Sequence, residues 1–132
     1  MEKVSVIGIG KLGLCFALTL ERAGYDVMGV DVVPEYVVKI NTKTLKSDEP
    51  GVEVALKKAK NFQAVMSIPE AVRFADYLYV VVATPSLPNG RYNHSQVDKV
   101  AQQIQALGEQ SNKHLIVCCT TMPGYCDTLS AR

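Results

Sequence analysis

The sequence predicts an α/β fold: a doubly wound parallel sheet of about five strands, in the order 3-2-1-4-5, with helices on both faces. Short apolar runs rich in β-branched residues alternate along the chain with segments of helical periodicity, an order typical of parallel strands joined by helices. The runs are apolar throughout, as strands are when helices cover both faces of their sheet. A length of 132 residues, of which 48 % are hydrophobic, fits one domain with one core.

Five runs have the composition of buried strands, with many Val, Ile and aromatic side chains. The predicted strands are residues 4–9, 25–30, 62–66, 77–83 and 114–119. The fourth run is the strongest of them, because it combines two tyrosines with three valines.

The segments between the runs have helical spacing and recognisable ends. The predicted helices are residues 12–23, a short helix that begins at Pro34, and residues 52–60, 67–75 and 95–107. Ser67 and Glu70 form the S-x-x-E pattern of a capping box, and Ser95 is expected to cap the helix that follows it. Gly24 and Gly108 suit the position just past a helix end, where left-handed backbone is common.

Other segments are expected to connect these elements. Residues 42–51 are polar, and residues 85–94 contain two prolines, so both are predicted to be loops. Residues 127–132 read as the beginning of another helix. We therefore expect residues 1–132 to belong to one domain that continues beyond Arg132.

Composition and charge exclude several classes of protein. Fourteen Lys and Arg against thirteen Asp and Glu give a net charge of +1, which lacks the positive surface of a general nucleic-acid or anionic-membrane binder. The N-terminus does not resemble a secretory signal, and the longest apolar run is far shorter than the roughly 20 residues that span a membrane. We expect no nucleic acid or membrane as a partner and a cytoplasmic location.

The cysteines and histidines do not predict a metal site. The two histidines stand alone, and no C-x-x-C spacing occurs among the four cysteines. We expect the cysteines to be reduced and mostly buried as small hydrophobic side chains. They are Cys15, Cys118, Cys119 and Cys126.

The junction of the first predicted strand and helix, residues 8–13, reads Gly-Ile-Gly-Lys-Leu-Gly, a G-x-G-x-x-G pattern. In this position the pattern is typical of the phosphate-binding turn of Rossmann-type folds. Gly8 permits a tight turn, Gly10 lets the backbone approach a pyrophosphate, and Gly13 lets helix and strand pack closely. The phosphates then lie at a helix N-terminus, where unpaired N–H groups and the helix dipole favour an anion.

Asp31 lies eighteen residues after Gly13, at the end of the second predicted strand. A carboxylate there accepts hydrogen bonds from an adenosine ribose and repels a 2′-phosphate, which favours NAD over NADP. The alternative is that the glycines are ordinary turn residues and that Asp31 caps the helix at Pro34.

Two further turns are expected to face the cofactor, because ligands of open parallel sheets bind outside the carboxyl ends of strands. They are Ala-Thr-Pro at 83–85 and Thr-Thr-Met-Pro at 120–123. The alternative is that each Thr-Pro pattern only stops a strand. Lys11 adds positive charge near the pyrophosphate in one interpretation and is merely solvated in the other.

These residues together resemble the N-terminal NAD-binding domain of the UDP-glucose/GDP-mannose dehydrogenase family. The opening segment, residues 3–13, is similar to the family's first strand and glycine loop, and residues 31–34 are similar to its ribose-binding turn. Glu-Pro-Gly-Val at 49–52 matches a signature that other dinucleotide-binding folds lack. The turns at 83–85 and 120–123 look like the family's G-T-P and S-T-V-P turns.

The chain also departs from the family pattern. Tyr36 stands where the family often has Lys or Arg, which puts one cationic contact to the adenosine side in doubt. Gly124 and Tyr125 replace the usual spacing after the third turn.

The resemblance implies NAD-dependent oxidation of the C6 alcohol of a UDP- or GDP-sugar to a carboxylate, through an aldehyde and a cysteine-bound thioester, with two NAD consumed. It also implies a role in polysaccharide biosynthesis. The implied cofactor is NAD. The candidate cofactor-binding residues, some from the motif and its neighbours and some carried over from the family, are Gly8, Gly10, Lys11, Leu12, Gly13, Asp31, Ala83, Thr84, Pro85 and Thr121.

Catalytic residues are not expected among these 132 residues. The family's nucleophilic cysteine lies in a G-G-x-C segment of a separate substrate domain, which this chain lacks, and Cys126 has no such context. The nucleotide-sugar substrate would bind through that absent domain, the full-length protein would be a homo-oligomer, and the chain alone would be inactive. Two alternatives are a stand-alone dinucleotide-sensing module and the NAD domain of another β-hydroxyacid-type dehydrogenase.

Overall fold

The computed structural model describes residues 1–108 and 112–130, in which strands and helices alternate. The strands are β1 (Lys3–Ile7), β2 (Asp26–Val30), β3 (Phe62–Val65), β4 (Tyr77–Val80) and β5 (His114–Val117). The helices are α1 (Lys11–Arg22), α2 (Pro34–Asn41), α3 (Val52–Lys58), α4 (Ile68–Phe74), α5 (Ser95–Gln105) and α6 (Tyr125–Ser130).

The five strands form one sheet in the order β3-β2-β1-β4-β5, and every neighbouring pair is parallel. This arrangement confirms the predicted fold class and strand order. From β1 the sheet extends one way through β2 and β3 and the other way through β4 and β5, so strand order reverses between β1 and β4. A crevice forms at the carboxyl ends of the strands at this point.

Helices cover the sheet on both faces and create two apolar clusters. On one face, α1, α2 and α3 pack around Val6 and Val27 of the central strands. On the other face, α4 and α5 pack around Ile7 and Val80. Consecutive β1 residues therefore face opposite layers, which explains why this strand is apolar without alternation.

Strand β2 ends at Val30 as predicted, but the other four strands end earlier than the sequence predicts. Residues 77–83 were expected in one strand, but β4 ends at Val80 because its neighbour β1 ends at Ile7, where Gly8 turns away with φ of 98°. The Val81 N–H still donates to the Ile7 carbonyl at 2.8 Å, and beyond it the chain has no partner strand of this sheet. Ile9, predicted within the first strand, lies in the turn and is fully buried.

The helix prediction is correct to within two residues at the ends, but one of its two caps is wrong. Ser67 caps α4 as predicted, since its side chain accepts the Glu70 N–H at 3.3 Å. Ser95 does not cap α5: His94 is the N-cap residue, and Ser95 is the first residue of the helix. The Asn93 side chain supplies an acceptor for the Ser95 N–H instead, at 2.9 Å.

The cysteines are free thiols, as predicted, but the expectation that most are buried is wrong. Cys15 and Cys119 are partly buried, and Cys118 and Cys126 are exposed. The reason is position: β5 is an edge strand and α6 follows it, so the cysteines near them lie at the margin of the sheet. Within residues 1–108 and 112–130, no helix is long and apolar enough to cross a membrane. The same residues contain no cluster of potential metal ligands.

Candidate functional site

A cavity of about 710 Å³ lies at the carboxyl ends of the strands, where the fold predicts a ligand. Its volume falls in the roughly 300–1,000 Å³ range of small-molecule and cofactor sites. The turn after β1, the end of β2, the segment after β4, the turn after β5 and one face of α5 all contribute to its wall. The candidate residues that line it are Gly8, Gly10, Lys11, Leu12, Gly13, Asp31, Ala83 and Thr84.

The glycine turn brings the N-terminus of α1 against the cavity. A Cβ atom on Gly8 would lie 2.8 Å from the Val81 carbonyl oxygen, and one on Gly13 would lie 1.9 Å from the Gly8 carbonyl oxygen. These two positions therefore need glycine for packing. Gly10 is different, because a Cβ there would meet no atom within 4 Å. The open space beside Gly10 is part of the cavity, which leaves its backbone accessible to a ligand.

Asp31 follows β2 directly and lies on the cavity wall. Its Oδ1 atom accepts the Val33 N–H at 3.1 Å, which fixes the carboxylate beside the turn into α2. The alternative that Asp31 caps the helix at Pro34 is wrong, because Val33 is the N-cap residue of α2 and no side chain caps that helix. Because Asp31 lines the cavity, its hydrogen bond to Val33 orients the carboxylate without removing it from the site.

Tyr36 occupies the position where the family often has a cation, and it ties α2 to the glycine turn. Its hydroxyl donates to the Ile9 carbonyl oxygen at 2.5 Å. Burial raises the pKa of Tyr36, and the nearby Asp31 carboxylate raises it further. The hydroxyl therefore stays protonated and able to donate, so it can support the glycine turn but brings no positive charge.

Lys11 is neither merely solvated nor directed only at the cavity. Its ammonium forms an ion pair with the Glu49 carboxylate at 2.8 Å, and the lysine side chain is 78 % exposed. The hydrogen bond and charge of Glu49 raise the pKa of Lys11, which keeps it positively charged. The pair joins the glycine turn to the Glu-Pro-Gly segment, whose Gly51 has φ of 83° at the N-cap of α3.

Each of the two threonine turns reaches the cavity with only some of its residues. Thr84 lines it, and Pro85 does not. After β5, Thr120 lines it rather than the predicted Thr121.

Several cavity residues were missed by the sequence analysis. Cys119 lines the wall, and burial raises the pKa of its thiol, which keeps it protonated. Gln96, Lys99 and Gln103 contribute from α5. Their spacing of three and four residues placed them on one helix face, but the polar face of a helix is ordinarily solvated and gives no distinct signal.

The geometry agrees with comparisons to known proteins. The model of the UDP-glucose/GDP-mannose dehydrogenase family, NAD binding domain, matches residues 2–131. The chain belongs to this family. Among curated relatives of this NAD-binding domain, a GDP-mannose 6-dehydrogenase from Pseudomonas savastanoi pv. phaseolicola is 31 % identical over 127 residues, which cover 92 % of this chain and 29 % of the relative. A UDP-N-acetyl-D-mannosamine dehydrogenase from Methanococcus maripaludis is 37 % identical over 89 residues, 67 % of this chain and 21 % of the relative.

Solved structures of family dehydrogenases share the fold closely. GDP-mannose dehydrogenase from Pseudomonas aeruginosa superposes with a TM-score of 0.88 at 29 % identity, over 98 % of this chain and 30 % of that one. UDP-glucose dehydrogenase from Pyrobaculum islandicum gives a TM-score of 0.88 at 31 % identity, and the match covers 100 % of this chain and 32 % of that one. This NAD-binding domain therefore spans about a third of the length of the relatives it matches.

Proposed function

We propose that the cavity at the carboxyl edge of the sheet binds NAD for a nucleotide-sugar 6-dehydrogenase, which oxidises the C6 alcohol of a UDP- or GDP-sugar to a carboxylate, in a cytoplasmic pathway of polysaccharide biosynthesis. One observation carries the proposal. The glycine turn, the N-terminus of α1 and Asp31 line a single cavity of about 710 Å³ in a domain of the NAD-binding family. These are the groups that a dinucleotide needs for its pyrophosphate and its adenosine ribose.

The shape of the turn favours the pyrophosphate beside Gly10. The backbone there has no neighbour on its Cβ side, and α1 begins at the next residue. Unpaired N–H groups of the first helical turn and the helix dipole stabilise an anion at this position. Lys11 adds a positive charge at the same end of the helix.

We propose that Asp31 selects NAD over NADP. Its carboxylate is held on the cavity wall by the Val33 N–H, so it cannot easily withdraw from a ribose 2′-phosphate. Asp31→Asn removes the charge and should lower the preference for NAD over NADP about tenfold, or about 1.4 kcal/mol. Glu35→Gln, which removes an equal charge from the first turn of α2, is the matched control and should leave the preference unchanged.

When bound, NAD supplies the hydride acceptor for oxidation of the sugar. The described residues hold and orient the cofactor in this proposal, and Thr84, Pro85 and Thr121 belong to the turns nearest the reacting end. We propose that the thioester-forming cysteine, the groups for proton transfer and the substrate contacts belong to a substrate domain elsewhere in the protein, which acts as a homo-oligomer. No catalytic role is assigned to Cys126.

The decisive experiment measures NADH formation by the protein that carries this chain, with GDP-mannose, UDP-glucose and UDP-N-acetylmannosamine offered separately. The expected result is NADH in a ratio of two per sugar oxidised with one of these substrates, and the corresponding uronate as product. A protein that binds NAD but oxidises none of them would contradict the proposed reaction while leaving the cofactor site intact. Absence of NAD binding would contradict both.

A further inference from the structure

His94 connects two segments that are far apart in the sequence, the N-terminus of α5 and the turn that follows β5. Its Nε2 atom accepts the Met122 backbone N–H at 3.1 Å. A backbone N–H is always a donor, so the bond requires an imidazole whose Nε2 carries a lone pair and no proton. The contact therefore exists only while His94 is neutral.

Tyr125 holds the other side of this contact. The imidazole of His94 and the ring of Tyr125 are stacked, with centroids 3.8 Å apart and planes inclined by 21°. The Tyr125 hydroxyl donates to Asp98 Oδ1 at 2.5 Å, and Asp98 lies one helical turn after His94 on α5. The ring of His94 therefore packs on a tyrosine that Asp98 holds in place, and its Nε2 atom accepts the Met122 N–H.

The segment that His94 holds ends in the wall of the cofactor cavity. Cys118, Cys119 and Thr120 line that cavity, and Met122 follows two residues after Thr120. The Cys118 N–H is paired with the Val80 carbonyl at 2.9 Å, which fixes the start of the segment. The bond from Met122 to His94 fixes its other end.

We propose that His94 is a positioning residue for the cofactor: in its neutral form it holds the turn at 120–122 where the turn meets NAD, and its protonation releases the turn and weakens NAD binding. The proposal rests on the proposed function, because it takes NAD as the occupant of the cavity. It adds a pH-dependent affinity that the glycine turn and Asp31 do not produce.

Two elements besides the turn at 120–122 place titratable groups near His94. Tyr125 from α6 stacks on its ring, and Asp98 from α5 accepts the Tyr125 hydroxyl. Residues 120–124 carry no ionisable side chain, and the one charged residue of the preceding loop, Arg91, is exposed. A proton on Nε2 removes the lone pair that accepts the Met122 N–H, whereas stacking on Tyr125 does not need that lone pair. Histidine is the side chain that ordinarily changes charge between about pH 5 and 8.

The contact can be tested without NAD through the Met122 amide. The chain has four methionines, so ¹⁵N-methionine labelling gives few signals, and Met28 in β2 and Met66 after β3 are internal references. We expect the Met122 amide to shift and to lose protection against hydrogen exchange as the pH falls from about 8 to about 5, while Met28 and Met66 do not change. An unchanged Met122 amide would overturn the proposal.

The consequence for the cofactor is tested with NAD titrations of the same protein over the same pH range. We expect the affinity of the wild type to fall about tenfold toward pH 5. In His94→Gln the side-chain oxygen reaches a position close to that of Nε2, so affinity at pH 8 should stay within about twofold and the pH dependence should disappear. His94→Ala should bind about tenfold more weakly at every pH.

His114→Gln is the matched control, because it removes the other histidine of the chain. His114 is the first residue of β5, and its ring stacks on Tyr77 of β4. This variant should keep the wild-type pH dependence. Persistence of that dependence in His94→Gln would overturn the proposal. If the wild type does not bind NAD at pH 8, the proposed function is wrong, and so is the proposed effect of His94 on NAD affinity. The Met122 amide signal would still show whether the hydrogen bond between Met122 and His94 breaks as the pH falls.

Discussion

At the scale of single residues, the glycines of the turn after β1 serve two separate purposes. Gly13 is a packing residue, because a Cβ there would lie 1.9 Å from the Gly8 carbonyl oxygen. Gly10 has open space on its Cβ side and φ of −66°, which any residue can adopt. A single sequence pattern thus combines one requirement of the fold with one requirement of the ligand.

This difference predicts opposite results for two alanine substitutions. Gly13→Ala forces the helix away from β1 and should cost about 3 kcal/mol of stability. Gly10→Ala should change stability by less than about 0.5 kcal/mol, but its methyl group enters the space proposed for the pyrophosphate and should weaken NAD binding at least about tenfold. Urea unfolding and NAD titration of both variants separate the effects. A stable Gly13→Ala protein, or a Gly10→Ala protein with full affinity, would contradict this division.

The exposed ion pair of Lys11 and Glu49 should affect the cofactor more than the fold. A pair this exposed contributes little to stability, because water and salt screen the two charges. Lys11→Met removes a positive charge beside the proposed pyrophosphate and should lower NAD affinity, whereas Glu49→Gln removes a negative charge and should raise it, each by less than about tenfold. Titrations at low and high salt measure both effects, which should shrink as salt screens the charges. Changes of the same sign in both variants would contradict the electrostatic explanation.

At the scale of elements, α2 closes the open edge of the sheet through one side chain. Asn41, the last residue of α2, donates to the Ala64 carbonyl and accepts the Ala64 N–H, each at 2.8 Å. Its amide therefore pairs with β3 as a neighbouring strand would. Unpaired edge groups invite association with other chains, so this contact protects the edge as well as fixing the helix.

Asn41→Ala should accordingly destabilise the domain by about 1–3 kcal/mol, because it leaves a buried backbone N–H and C=O without partners. The exposed Asn89, whose side chain accepts the Arg91 N–H within a loop, is the control, and Asn89→Ala should cost less than about 1 kcal/mol. Thermal unfolding gives both values. Equal losses in the two variants would show that the pairing with β3 contributes nothing beyond a surface hydrogen bond.

The elements themselves could be predicted from local patterns, but the ends of four strands and the cap of α5 could not. The apolar run at 77–83 correctly indicated a strand, yet the length of β4 depends on where β1 stops, which is a property of another segment. The sequence analysis placed the cap of α5 at Ser95, but the N-cap residue is His94. Asn93 and Ser95 both carry side-chain oxygens that can accept a backbone N–H, and the conformation of the preceding loop brings the Asn93 oxygen to the Ser95 N–H. The contact of Asn41 with β3 joins residues 23 apart and has no local signal.

At the scale of the whole molecule, the sequence could predict the part of the site built from one continuous motif. Gly8, residues 10–13 and Asp31 line the cavity, because the turn after a strand and the end of the next strand meet in every parallel α/β sheet of this kind. Lys99 and Gln103 were missed because they reach the cavity through the placement of α5. That placement follows from packing of the complete fold, and the residue patterns do not contain it.

These 132 residues alone should bind NAD but not reduce it. NAD at about 100 times its dissociation constant should add about 2.7 kcal/mol of stability, which at roughly 4 °C per kcal/mol for a domain of this size raises the melting temperature by about 10 °C. NADP at the same concentration should raise it less, because Asp31 lies on the cavity wall. A nucleotide sugar added with NAD should give no NADH, because in the proposed function the nucleophilic cysteine, the groups for proton transfer and the substrate contacts belong to a separate substrate domain. NADH formation by these 132 residues alone would show that the chemistry lies within this domain.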